Sequence, residues 1–162
     1  MFSASLREQA EQLLAAARAQ KLRIATAESC TGGLIAGLLT EIPGSSDVVE
    51  RGFVTYSDDA KSDLLDVPAA LIRQHGAVSE PVARAMAEGA LKNSRAQLAV
   101  AVTGIAGPGG GSAEKPVGLV YVAALKQNGA ATVKEFRFGD IGRGEIRSRT
   151  IAEALILLRE LV

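Results

Sequence analysis

The chain has 162 residues, of which 48% are hydrophobic, only 4% are aromatic and none is Trp. That length suits one domain spanning 1–162, and it buries a sizeable core of Ala, Val, Leu and Ile without metal or disulfide staples. Eighteen basic and eighteen acidic residues cancel, which removes any global electrostatic case for nucleic acid or an anionic membrane and leaves small molecules or further copies of the chain as expected partners. A single Cys and a single His exclude an intramolecular disulfide framework and a typical zinc site, although carboxylates could still bind a harder cation. Met1 to Gln20 carries Arg7, Glu8, Glu11 and Arg18 among alanines and leucines, unlike a signal peptide, and no apolar run reaches the length of a membrane span; a soluble, cytoplasmic protein is expected.

Leu6, Ala10, Leu13, Leu14 and Ala17 recur at helical spacing and predict an amphipathic first helix, followed by an extended apolar run from Leu22 to Ala27. Leu34, Ile35, Leu38 and Leu39 resume the helical period until Pro43-Gly44-Ser45-Ser46 breaks it. Val48 to Tyr56 is rich in Val, Phe, Thr and Tyr and reads as a strand interrupted near Gly52. Two short helices are predicted next, one capped by Ser57-Asp58-Asp59 and one from Pro68 to Gln74, closed by His75-Gly76. Ser79-Glu80-Pro81 opens a longer helix through Asn93. Leu98 to Val102 has the uninterrupted apolar pattern of a central strand covered on both faces. After the glycine-rich loop Gly104 to Gly118, the runs Val117 to Leu125 and Ala131 to Phe138 flank Lys126-Gln127-Asn128-Gly129 as a hairpin, and the chain closes with a helix from about Gly144. The order predicts a three-layer α/β/α sandwich with a mixed, mostly parallel central sheet, in which the loops after the two buried strands meet if those strands are parallel neighbours.

Two glycine-bearing segments carry the chemistry. Thr26-Ala27-Glu28-Ser29-Cys30-Thr31-Gly32-Gly33 joins a strand to a helix, a junction whose free backbone N–H groups suit an anion or a developing oxyanion; the plainer reading is a helix cap followed by packing glycines. The loop from Gly104 is not followed by Gly-Lys-Ser/Thr and leads into a strand, which disfavours ATP hydrolysis but leaves an anion nest open. Cys30, Ser29 and Ser46 are the nucleophile candidates. Cys30 would need His75 as base, and a small buried Cys is the plainer alternative. A Ser46–Lys61 pair would need a lysine of lowered pKa, which the positive end of a helix dipole favours while Asp58, Asp59 and Asp63 oppose it. By spacing alone, a surface lysine and a turn serine are the plainer readings, and Tyr56 either donates to the same site or packs. Arg143, Arg147 and Arg149 open the last helix, where cations are disfavoured unless they face an anion or pair with Glu145 or Asp140.

The segments Ala27 to Gly33, Gly44-Ser45-Ser46, Arg51 to Ser57 with Ala60-Lys61, His75 to Glu80, and Thr103 to Pro108 with Lys115-Pro116-Val117-Gly118 together resemble the CinA C-terminal domain family over nearly the whole chain. The resemblance implies a stand-alone, metal-independent nicotinamide-nucleotide amidohydrolase of pyridine-nucleotide salvage, cytoplasmic and homodimeric, that converts nicotinamide mononucleotide and water to nicotinate mononucleotide and ammonia. The family's Ser-Lys arrangement carries over to Ser46 and Lys61, with Tyr56 beside them. Its substrate-lining motifs carry over to Ser29, Thr31, Gly32, Gly33, Thr103, Gly104 and Gly107. The segment Gly139-Asp140-Ile141-Gly142-Arg143 is looser than the family's usual Gly-Asp-Arg, which leaves both Arg143 and Arg147 as phosphate-facing candidates. The family's fused form has an N-terminal molybdopterin-binding-like domain without counterpart in these residues, and the activity of that half is not carried over. The same pocket without catalysis would make a pyridine-nucleotide-binding or protein-interaction module.

Overall fold

The computed structural model describes residues 1–162. Helix α1 (Ala4–Ala19) is followed by strand β1 (Ile24–Glu28), helix α2 (Leu34–Glu41), a 3-10 turn (Ser45–Asp47), strand β2 (Val49–Val54), and helices α3 (Asp58–Leu65), α4 (Ala69–His75) and α5 (Glu80–Lys92). Strand β3 (Leu98–Gly104), the hairpin β4 (Leu119–Lys126) and β5 (Thr132–Arg137), and helix α6 (Arg143–Arg159) complete the chain. Two of these starts have side-chain caps: Ser3 Oγ accepts from Leu6 N at 3.2 Å and Ser57 Oγ from Ala60 N at 3.0 Å, each satisfying one of the N–H groups that a helix start leaves free.

The five strands form one sheet in the order β2-β1-β3-β4-β5. β1 pairs in parallel with β2 and β3, whereas β3–β4 and β4–β5 are antiparallel, so only β4 runs against the other four. Helices α1, α2 and α6 cover one face, where Leu13, Ile35, Leu38, Ile146 and Leu158 pack on Ile24, Val100 and Val122. On the other face α5 lies over Ala25, Ala27, Ala99, Ala101 and Ala123, presenting Ala83, Ala87 and Ala90. Small side chains on both sides let helix and sheet approach closely, which is how an aliphatic chain poor in aromatics reaches interior packing density.

The expected three-layer architecture is what forms, with one local correction. β2 continues unbroken through Gly52; the irregularity falls earlier, where Ile24 pairs with Val49 but Ala25 pairs with Arg51. Gly52 instead makes room for α2, since a Cβ there would lie 3.0 Å from Ala36 Cβ. Because β1 and β3 are parallel neighbours, the segments that follow them emerge on the same edge of the sheet, the edge at which open α/β sheets bind ligands.

Candidate active site

Glu28, the last residue of β1, organises the first segment. Its side chain is fully buried and accepts from Thr31 Oγ1 at 2.5 Å, Gly33 N at 3.1 Å, Ile35 N at 3.0 Å and Ala36 N at 2.8 Å. The expected free N–H groups at the start of α2 are therefore taken by the chain's own carboxylate, which occupies the place an external anion would have filled. Between Glu28 and α2, residues 29–33 form an arch with Gly32 at φ +61° and Gly33 at φ +97°, left-handed backbone that glycine adopts without a Cβ penalty. The base of the arch is tied to β3 by Ser29 N donating to Val102 O at 3.1 Å.

Lys61 comes up from the first turn of α3 beneath this arch and is 1% exposed. Its Nζ lies 3.1 Å from Ser29 Oγ, 2.9 Å from Thr55 O, 3.4 Å from Ser57 O and 3.5 Å from Tyr56 O. Every neighbour in that list is neutral. Burial pushes the amine below its ordinary pKa, against the attraction of Asp58. A hydroxyl touching a buried amine of lowered pKa is the arrangement expected of a nucleophile and its base.

The serine in this pair is Ser29 and not Ser46. Ser46 sits exposed in the 3-10 turn before β2, while Lys61 follows β2, so six residues of extended chain, about 20 Å, separate them. The turn is anchored instead to α1, where Arg18 donates to Gly44 O at 2.9 Å and pairs with Asp47 at 2.7 Å. Tyr56 offers its carbonyl to Lys61, but its exposed ring turns outward, and its hydroxyl takes a hydrogen bond from Arg143 at 3.1 Å. The Cys30 thiol is buried in the core between the sheet and α1, α2 and α6, and burial pushes it up to about 12, so near neutrality it is a protonated, inert side chain.

The remaining candidates line the same edge. Thr103 is buried, its Oγ1 donating to Ala77 O at 2.9 Å and tying β3 to the segment after α4. Gly104 ends β3, and Gly107 O accepts from Arg143 at 2.9 Å. Arg147 donates to two consecutive carbonyls of the arch, Cys30 O at 3.1 Å and Thr31 O at 3.0 Å. Arg149 takes the plainer role, an exposed pair with Glu145 at 2.9 Å. Lys115, at the far end of the glycine-rich loop, donates to the carbonyl of His75. None of Lys61, Lys115, Arg143 and Arg147 belongs to any of the molecule's ion pairs. Of these, Arg143 and Lys115 hold only neutral partners, which leaves their charge free to meet an anion. A groove of about 730 Å³ between α3, α4 and α5 contains neither Ser29 nor Lys61, and its Asp66, Glu80, Glu88, Arg84 and Lys92 are ordinary charged surface.

Sequence reasoning missed the cap made by Glu28 and the backbone tie made by Arg147. A buried acid at the end of an apolar strand, directly before a Gly-Gly helix entry, was the available signal for Glu28; nothing local marks the partner of Arg147.

The chain matches the family model described as CinA C-terminal domain over residues 6–162. It is 55% identical over 137 residues to a CinA-like protein of Mycobacterium marinum, covering 85% of this chain and 32% of that protein. It is 47% identical over 159 residues to a CinA-like protein of Anaeromyxobacter sp. (strain K), covering 98% of this chain and 38% of that protein. The chain thus spans about a third of the length of these curated relatives. Among solved structures, it is similar to the competence/damage inducible protein CihA from Agrobacterium tumefaciens, with TM-score 0.98, 56% identity and 99% and 98% of the two chains covered. A CinA superfamily protein from Escherichia coli superposes with TM-score 0.92 at 31% identity, covering 100% of this chain and 94% of that one.

Proposed function

Because the chain belongs to the CinA C-terminal domain family, we propose that it is a metal-independent amidohydrolase converting nicotinamide mononucleotide and water to nicotinate mononucleotide and ammonia, with Ser29 as nucleophile and Lys61 as base. The reading includes a cytoplasmic homodimer working in pyridine-nucleotide salvage. The observation that carries it is the buried Lys61 amine 3.1 Å from Ser29 Oγ with only neutral neighbours. As a neutral amine, Lys61 has two N–H bonds to give, one to Thr55 O and one to the carbonyl of Tyr56 or Ser57. Its lone pair is left for the Ser29 hydroxyl proton.

Ser29 Oγ attacks the carboxamide carbon as Lys61 takes its proton, and the carbonyl π electrons move to oxygen to give a tetrahedral oxyanion. The oxyanion collapses, the C–N bond breaks, and the Lys61 ammonium returns the proton to the departing nitrogen, which leaves as ammonia. Water, deprotonated by Lys61, then attacks the nicotinoyl ester; nicotinate mononucleotide departs and Ser29 Oγ recovers its proton. The pyridinium charge of the substrate adds to burial in holding Lys61 neutral. Arg143, whose guanidinium holds only a phenol and a carbonyl, and Lys115 are the cations placed to attract the phosphate.

The test is ammonia release from nicotinamide mononucleotide, with and without chelator. Release that chelator does not change is expected from the wild type. Ser29→Ala and Lys61→Ala should each lose ~10³-fold or more, while Ser46→Ala stays within about twofold, as expected for a surface residue. A folded wild type that binds the nucleotide but releases no ammonia would replace this reading with a pyridine-nucleotide-binding module.

A further inference from the structure

Arg147 is the obvious second candidate for a phosphate ligand, yet two of its five N–H donors hold the arch. Nε donates to Cys30 O at 3.1 Å and Nη2 to Thr31 O at 3.0 Å, and the side chain is partly buried against the arch. A trans peptide places its N–H opposite its C=O. With the carbonyl of Cys30 drawn toward α6, the N–H of the same peptide, which belongs to Thr31, points away from α6. Lys61 and the Ser29 hydroxyl approach from that opposite side, because α3 and α6 pack on different faces of the sheet. Across the arch Ser29 N donates to Val102 O, Gly32 N to Ser29 O, Leu34 N to Thr31 O, and Gly33, Ile35 and Ala36 N to Glu28; Cys30 N and Thr31 N have no acceptor within the chain, and of these two it is the Thr31 amide whose peptide carbonyl Arg147 holds. Glu28 fixes the far limb of the arch through Thr31 Oγ1 at 2.5 Å, so the Cys30–Thr31 peptide is held from both sides.

We propose that Arg147 is a positioning residue: by gripping the carbonyls of Cys30 and Thr31, it turns the Thr31 N–H toward the reaction centre, where that amide receives the oxyanion formed when Ser29 attacks. The proposal rests on the assignment of Ser29 as nucleophile. It moves Arg147 out of substrate binding and leaves Arg143 to meet the phosphate. A donor aimed at the place where charge develops contributes in the transition state and little in the ground state, so its loss falls on kcat.

The experiment measures kcat on nicotinamide mononucleotide and, separately, the Kd for the product nicotinate mononucleotide, which carries the phosphate but forms no oxyanion. Wild type, Arg147→Met, Arg147→Lys and Arg143→Met are compared, with folding checked by circular dichroism. Arg147→Met is expected to lose about 10²-fold in kcat, as for removal of one oxyanion donor, with the product Kd within about threefold. Arg147→Lys keeps the charge but cannot span two carbonyls, and it should show the same kcat loss. Arg143→Met should weaken the product Kd about tenfold. A tenfold weaker product Kd with kcat retained in Arg147→Met, or full activity in Arg147→Lys, overturns the proposal by making Arg147 a phosphate ligand. An inert wild type would instead take down the amidohydrolase reading, and the oxyanion assignment with it.

Discussion

Lys61 concentrates the chemistry of this protein in one side chain, and its burial has opposite consequences for stability and for reaction. Its folded pKa lies below the ordinary lysine value, so between the two values the unfolded chain holds the proton more tightly. The stability cost is fully present below the folded pKa and fades as pH rises toward the unfolded value of about 10.4. Lys61→Met keeps the apolar stem without the amine; at pH 7 it is expected to raise the thermal midpoint by a few degrees, a gain of about 1 kcal/mol, while ammonia release disappears. A lowered midpoint in thermal denaturation would mean that the amine's hydrogen bonds outweigh its desolvation. Neutral Lys61 is the active form, so kcat/KM should rise with pH through the folded pKa. Asp58 opposes the downward shift, and Asp58→Asn should move that limb to lower pH; a pH profile identical to wild type would remove Asp58 from the tuning.

Among the elements, the β1–α2 junction depends most on a single residue. Glu28 satisfies three backbone N–H groups of the entry to α2 from inside the protein, and Glu28→Ala would leave them buried without acceptors. A loss of about 3 kcal/mol is expected from urea unfolding, since each stranded buried donor costs ~1–3 kcal/mol and relaxation recovers part of it; a loss below about 1 kcal/mol would mean that water reaches the junction. Element identity was legible throughout. The apolar run Leu98 to Val102 became the core of β3, and the helical period of Leu6, Ala10, Leu13, Leu14 and Ala17 became the buried stripe of α1. Gly52 misled because glycine both interrupts strands and admits a close neighbour, and only the position of Ala36 on α2 distinguishes the two roles here.

At the scale of the molecule, the parallel pairing of β1 with β3 brings the arch and the glycine-rich loop to one edge, where Lys115 and Arg143 belong to no ion pair. An anionic substrate drawn by their charge should bind less well as salt screens it, and KM for nicotinamide mononucleotide is expected to rise severalfold between 50 and 500 mM salt, with kcat nearly constant; a flat KM would show that these cations do not meet the phosphate. No helix is long and apolar enough to cross a membrane. From sequence alone came the strand and helix types, the layered architecture and the set of motifs, because hydrophobic period, capping residues and glycine punctuation are local signals. Tertiary structure alone decided which serine meets Lys61. Ser29 and Ser46 are both small hydroxyls beside turn glycines, but the parallel course of β1 and β2 carries the segments after both strands to one end of the sheet and leaves Ser46 at the other. It likewise gave the N–H groups of α2 to Glu28 and the reach of Arg147 to the arch carbonyls. The Glu28 bonds span only five to eight residues, but Lys61 with Ser29 and Arg147 with the arch join residues far apart in the chain, and no periodicity along the sequence records such a meeting.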